Sequence, residues 1–271
     1  MKIRAGFTIG YQCAQPTPML LVLNIHPSRR TDLLTEQVLT FDREIEARDY
    51  IDGFGNSCSR IVAPAGLTTI STAFEIYDNG QPDIVAEDAV QHDIKDLPDD
   101  VLVFLLGSRY CDTDRLSDFA WAQFASTPLG WRRVQAICDF VHQHIAFDYL
   151  KANILRTAHD GYLERTGVCR DFAHLAITLC RCMNIPARYC TGYLGDIGIP
   201  PAPEPMDFSA WFQVYLGGHW YTVDARHNKP RIGRILMATG RDATDVALST
   251  SFGASQLARF EVVTEEVATA E

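Results

Sequence analysis

Cys169 stands where a turn gives way to a helix. Thr166 and Gly167 precede it, Asp171 follows at once, and Val168, Phe172, Leu175, Leu179 and Met183 recur at steps of three and four, the spacing of one buried helical face. This pattern predicts a helix of about four turns with Cys169 in the first. There the positive end of the helix dipole favours a thiolate over a thiol, and a thiolate is the nucleophile of covalent acyl transfer. The position also suits a small packed residue, since free cysteine is among the most buried residue types. A catalytic thiol further needs a cation, usually an imidazolium, one hydrogen bond from the sulfur, and a third group to orient that ring.

Candidates for those two groups lie downstream. FSAWFQVYL, the pair Gly217-Gly218 and HWYTVDA read as a β-hairpin with a two-residue loop. With that loop Leu216 pairs with His219, Trp211 lies opposite Asp224, and Ser209 lies one diagonal step from Asp224 on the same face. His227 would pair with Phe208 on the opposite face of a regular hairpin. It reaches Asp224 only if the chain leaves the strand there, which Asn228 and Pro230 permit. His174 is about 140° round the helix from Cys169 and faces away. His142 and His144 are two apart, point to different faces, and read as surface or structural histidines. His219 sits beside the turn, far from Asp224, and His26, His92 and His159 have no assigned place. Asp207 and Arg226 read as solvated or loop-anchoring charges that could also line a cleft.

The elements that must hold these groups follow in chain order. Residues 1–90 read as an antiparallel β-domain: Ile3, Ala5, Phe7 and Ile9 alternate, MLLVLNI could be a doubly buried strand, VLTFDREIEARDYID an edge or hairpin, and TTISTAFEIYD is rich in β-branched and aromatic residues. The polar stretch 91–100, with Pro98, reads as a linker. From 101 to 271 the period changes. A short helix begins at Val101, another continues from Leu116, and Trp131, Val134, Ile137, Val141 and Ile145 mark one face of a third, with Cys138 beside them. ARYCTGYLG reads as a strand, GIPPAPEPMD as a loop, residues 227–253 as loop-rich, LARFEVVTEEV as a last strand, and the tail 268–271 as loose.

Composition narrows the function classes. Twenty-four Lys and Arg stand against 34 Asp and Glu, a net charge of −10, with no extended basic cluster, which disfavours nucleic acid as a partner. The best apolar run, from Met19, is too short to span a bilayer, and the N-terminus alternates like a strand and lacks the apolar core of a signal peptide. The expectation is a cytoplasmic protein without membrane contact. The eight cysteines, Cys13, Cys58, Cys111, Cys138, Cys169, Cys180, Cys182 and Cys190, read as reduced thiols. Cys180, Cys182 and Cys190 lack zinc-ligand spacing, and no calcium loop is present, so no metal and no cofactor are expected. A redox or metal-binding thiol protein would rest on the cysteine count alone.

Three separated motifs, GVCRDFAHLAITLCRCMNIPARYCTGY, MDFSAWFQVYLGGHWYTVDARHN and GRDATDVALSTSFG, resemble the bacterial transglutaminase-like family of cysteine proteases. The resemblance implies an α+β fold, a β-rich N-terminal domain followed by a papain-like core in which a cysteine helix packs on an antiparallel sheet. It assigns the nucleophile to Cys169 and the aspartate to Asp224. The chain departs at the family histidine: Ser209 stands before Ala210-Trp211, and a hydroxyl is neither a base at neutral pH nor long enough to bridge the gap. His227 is the possible substitute. The implied activity is a cysteine hydrolase or acyltransferase acting on amide bonds of a peptide or protein substrate through an acyl-enzyme. The alternative is a degenerate member that binds peptide or serves as a scaffold without turnover.

Overall fold

A computed structural model describes residues 1–201 and 205–267; the tail 268–271 and the middle of the proline-rich loop lie outside the described residues. The alternation at the N-terminus becomes β1 (Lys2–Cys13), with Ile3, Phe7 and Ile9 buried. β2 (Thr17–Leu21), β3 (Thr40–Phe41), β4 (Arg48–Ile51), β5 (Ser57–Ala63) and β6 (Gly66–Tyr77) follow. The mixed apolar and charged stretch supplies β3 and β4, each at the edge of its sheet, where only one side of a strand needs partners.

In the second half come α1 (Thr113–Phe124), α2 (Trp131–His144), β7 (Ala146–Phe147), α3 (Ala158–Glu164), β8 (Thr166–Gly167) and α4 (Cys169–Cys182). The helix expected from Val101 is a 3-10 segment, Asp99–Leu105. α3 was not anticipated, although Thr157 and Asp160 form a capping box at its start. The chain then forms β9 (Ala187–Leu194), β10 (Ser209–Leu216), β11 (His219–Val223), β12 (Arg234–Gly240), β13 (Ser249–Ser251) and β14 (Ser255–Val267). Residues 227–253 are thus not simply loop: β12 lies inside them and pairs with β9, because RILMATG presents Ile235 and Met237 to an apolar core.

Three four-stranded antiparallel sheets result, ordered β14-β1-β6-β3, β13-β2-β5-β4 and β11-β10-β9-β12. Residues 249–267, expected as the end of the second unit, instead complete both sheets of the first. β14 pairs with β1 from Lys2↔Val267 to Cys13↔Ser255, and β13 pairs with β2. The third sheet is the central layer. Phe212, Val214 and Leu216 on one face join the core of α1, α2 and α4, while Tyr193, Ile235 and Met237 on the other join the core of the first two sheets. Twelve of the fourteen residues of α4 are buried in this stack, so the helix that begins with Cys169 is held on every side.

Candidate active site

Cys169 is the first residue of α4. Immediately ahead of it Val168 donates its backbone N–H to Asp171 Oδ2 at 2.8 Å, and Arg156 Nη1 donates to the same oxygen at 3.0 Å. This folded-back carboxylate leaves no room at Gly167, where an added Cβ would come within 2.5 Å of Asp171 Oδ2. The turn signal and Asp171, both legible in the sequence, therefore fix where the cysteine starts its helix. Arg156, fifteen residues upstream of Asp171, carried no local signal.

The hairpin has the expected register, Leu216↔His219 through Phe212↔Val223. Gly217 and Gly218 have φ of 56° and 84°, the left-handed conformations that such a loop requires. The ladder stops at Val223, so Asp224 opens a turn. Its Oδ1 accepts the backbone N–H of Arg226 at 3.0 Å and of His227 at 3.1 Å, and its carbonyl accepts Asn228 N–H at 2.8 Å. That turn swings His227 round until its Nδ1–H reaches Asp224 Oδ2 at 2.8 Å. A carboxylate only accepts, so a proton sits on Nδ1.

Asp224 Oδ2 also takes Arg234 Nη2 at 2.9 Å, and Arg234 Nε binds Asp83 at 2.9 Å while its guanidinium lies 4.9 Å over the Trp211 ring. Burial alone would raise the Asp224 carboxyl, but the Arg234 charge first and the His227 hydrogen bond next hold it well below the usual carboxylate range. Arg234 was not anticipated, since it stands on the strand mistaken for loop.

Tyr149, Asp207, Ser209, Arg226 and His227 line one small cleft. Ser209, at the first residue of β10, is 7% exposed. Asp207 and Arg226, read from sequence as loop charges that could line a cleft, do line it. Burial raises the Asp207 carboxyl, opposed by the Phe208 N–H and the Arg226 charge. Burial likewise pushes the Cys169 thiol up to about 11, with the Arg226 charge and the Ala210 N–H opposing and Asp207 and Asp224 adding to the rise. Desolvation thus opposes the thiolate that the helix start favours.

Five other histidines are committed elsewhere. His174 lies between the Tyr110 and Tyr189 rings at 5.0 Å each and accepts Ala243 N–H, and burial pushes its imidazole down. His142 bonds the Arg226 carbonyl at 2.8 Å, His144 the Tyr162 carbonyl at 2.7 Å, His219 the Gly217 carbonyl at 3.1 Å and His26 the Ser28 hydroxyl at 2.8 Å. Among the described residues no histidine ring is hydrogen-bonded to the Cys169 sulfur. All eight cysteines are free. Among the described residues there is no cluster of three potential metal ligands and no helix long and apolar enough to cross a membrane.

Residues 118–225 match the profile of the transglutaminase-like superfamily. The crystal structure of a "putative cysteine protease" from Cytophaga hutchinsonii superposes with a TM-score of 0.85 at 30% identity, covering 100% of this chain and 92% of that one. An uncharacterized protein from Mycobacterium leprae is 39% identical over 91 residues, 32% of this chain and 32% of its own length, so the match spans about a third of that relative. The periplasmic domain of TgpA from Pseudomonas aeruginosa bound to ethylmercury aligns over 80% of this chain and 75% of its own, at 17% identity and a TM-score of 0.41.

Proposed function

The chain belongs to the transglutaminase-like superfamily, and from that premise we propose that it is a cysteine hydrolase or acyltransferase acting on amide bonds of a peptide or protein. Cys169 is the nucleophile, and the Asp224–His227 pair takes over the base that position 209 lacks. The observation that carries this reading is the 2.8 Å bond from His227 Nδ1 to the catalytic-position aspartate, made in a cleft that His227 shares with Ser209.

The Cys169 sulfur attacks the carbonyl carbon while its proton passes to His227 Nε2, and backbone N–H groups at the start of α4 hold the oxyanion. His227 then returns the proton to the departing amine, leaving a thioester that water or a second amine resolves. A thiol held near pKa 11 by burial fits a proton removed during attack better than a preformed thiolate–imidazolium pair. The scattered free cysteines support a reducing compartment, the cytoplasm, as the place of action.

A second reading, a member that binds peptide without turnover, is favoured by one specific observation: among the described residues no histidine ring is hydrogen-bonded to the sulfur. The deciding experiment measures hydrolysis of peptide anilides and incorporation of a fluorescent amine into a glutamine-bearing protein. Turnover abolished by Cys169→Ala and lowered about 100-fold or more by His227→Ala supports the enzyme. Folded protein with no turnover, or turnover indifferent to Cys169→Ala, sinks it in favour of the second reading.

A further inference from the structure

Arg156 stands just ahead of α3 and is 4% exposed. Its Nε and Nη2 donate to Oε2 of Glu164, the last residue of α3, at 2.9 and 2.7 Å. Its Nη1 donates both to the Lys151 carbonyl at 2.9 Å and to Asp171 Oδ2 at 3.0 Å. One buried cation thus ties together the turn at Lys151, the end of α3 and the first turn of α4. Asp171 Oδ2 also accepts the Val168 N–H at 2.8 Å, while the Val168 carbonyl takes the N–H groups of Asp171 and Phe172 at 2.8 and 3.4 Å. Val168 and Asp171 are therefore bonded to each other in both directions, and Cys169 and Arg170 are carried between them. The N–H groups of those two residues have no carbonyl to bind within the helix, and a helix start aims such groups at a developing negative charge.

We propose that Arg156 is a positioning residue for acyl transfer: through Asp171 it sets the direction of the Cys169 sulfur and of the N–H groups beside it. The role rests on the reading of Cys169 as nucleophile. The Asp171 carboxylate is buried, and its Oδ1 has no hydrogen-bond partner among the described residues. Arg170 approaches that oxygen only to 3.8 Å, so Arg156 is the cation bonded to this carboxylate. Without it the buried charge is left uncompensated, and the Val168 bond that closes the turn loses its acceptor's anchor. Arg156 is not one of the residues lining the cleft, and a guanidinium keeps its proton. It therefore acts on geometry alone, and proton transfer stays with His227.

The test separates position from stability and begins without turnover. Amide hydrogen exchange of the full-length protein, followed by mass spectrometry, compares peptides covering residues 165–171 with peptides covering 172–182. In Arg156→Gln, exchange of 165–171 is expected to speed up at least about tenfold, the lower end for losing a hydrogen bond to a charged group, with 172–182 unchanged. Arg156→Lys, which keeps a cation beside Asp171, restores most of the protection. Should the glutamine variant fold poorly, Glu164→Gln loosens the guanidinium from its more exposed end and gives the same selective acceleration. No acceleration in a folded variant, or equal acceleration of both peptides, overturns the proposal. In the amide assay Arg156→Gln is expected to lower kcat about tenfold or more with KM within about twofold, and Arg156→Lys to recover most of it; an unchanged kcat overturns the proposal. Selective loosening of 165–171 in a protein without amide turnover would instead count against the proposed function alone.

Discussion

His227 Nδ1 donates to Asp224 Oδ2 across 2.8 Å although the two residues are only three apart in a strand-rich segment. A continued β11 would have put them on opposite faces. Asp224 itself prevents this, because its other oxygen gathers the N–H groups of Arg226 and His227 and ends the strand. One carboxylate thus makes the turn with one oxygen and orients the imidazole with the other.

Burial sets the resting state of the Cys169 thiol. With the Cys169 thiol pushed up to about 11, its thiolate fraction rises about tenfold per pH unit below that value. Iodoacetamide labelling of Cys169 in the folded protein is expected to climb from pH 7 to pH 10 without a plateau. A plateau near pH 7 would mean an activated thiolate and contradict the burial argument.

Asp224 links folding to acid. Its carboxyl is held below the usual range when folded, so its contribution is complete above the unfolded pKa of about 4 and is lost as pH falls below that towards the folded value. Asp224→Asn leaves Arg234 half-paired in a buried site and is expected to cost about 3 kcal/mol at pH 7. Urea unfolding from pH 8 to pH 2 should show the gap between the two proteins constant down to about pH 5 and closing below about pH 4.

Ser209 stands at the head of β10 in the cleft. If acid–base power is what that position lacks, Ser209→His should raise anilide hydrolysis by about 100-fold, provided His227 is also changed to Ala so that Asp224 Oδ2 is free to orient the new ring. The double variant assayed against His227→Ala alone checks this, and equal rates would show that the cleft does not aim a side chain at 209 towards the sulfur.

Gly192 pairs with Ser209 on one side and Leu236 on the other. An added Cβ would come within 2.0 Å of the Ile235 carbonyl oxygen and 2.9 Å of the Trp211 ring, and neither can yield without parting β9 from β12. Gly192→Ala is expected to destabilise the fold by about 3 kcal/mol, seen as a lower urea midpoint with an unchanged slope.

Local patterns in the sequence determined the cysteine helix, the Gly-Gly hairpin with its register, and the alternation of β1, because each rests on residues a few positions apart. The hairpin register set position 209 and Asp224 on one face, and the family resemblance assigned Cys169 and Asp224 their places and exposed Ser209 as a departure. What only the tertiary structure decided depends on long separations. β14 joins β1 across some 250 residues of chain, β12 is defined by the neighbour it pairs with, and Arg234, while bound to Asp224, reaches Asp83 across 151 positions. The charge balance at Cys169 belongs to this second class: a dipole at a helix start can be read from spacing, but the desolvation that opposes it depends on the layers packed around the helix.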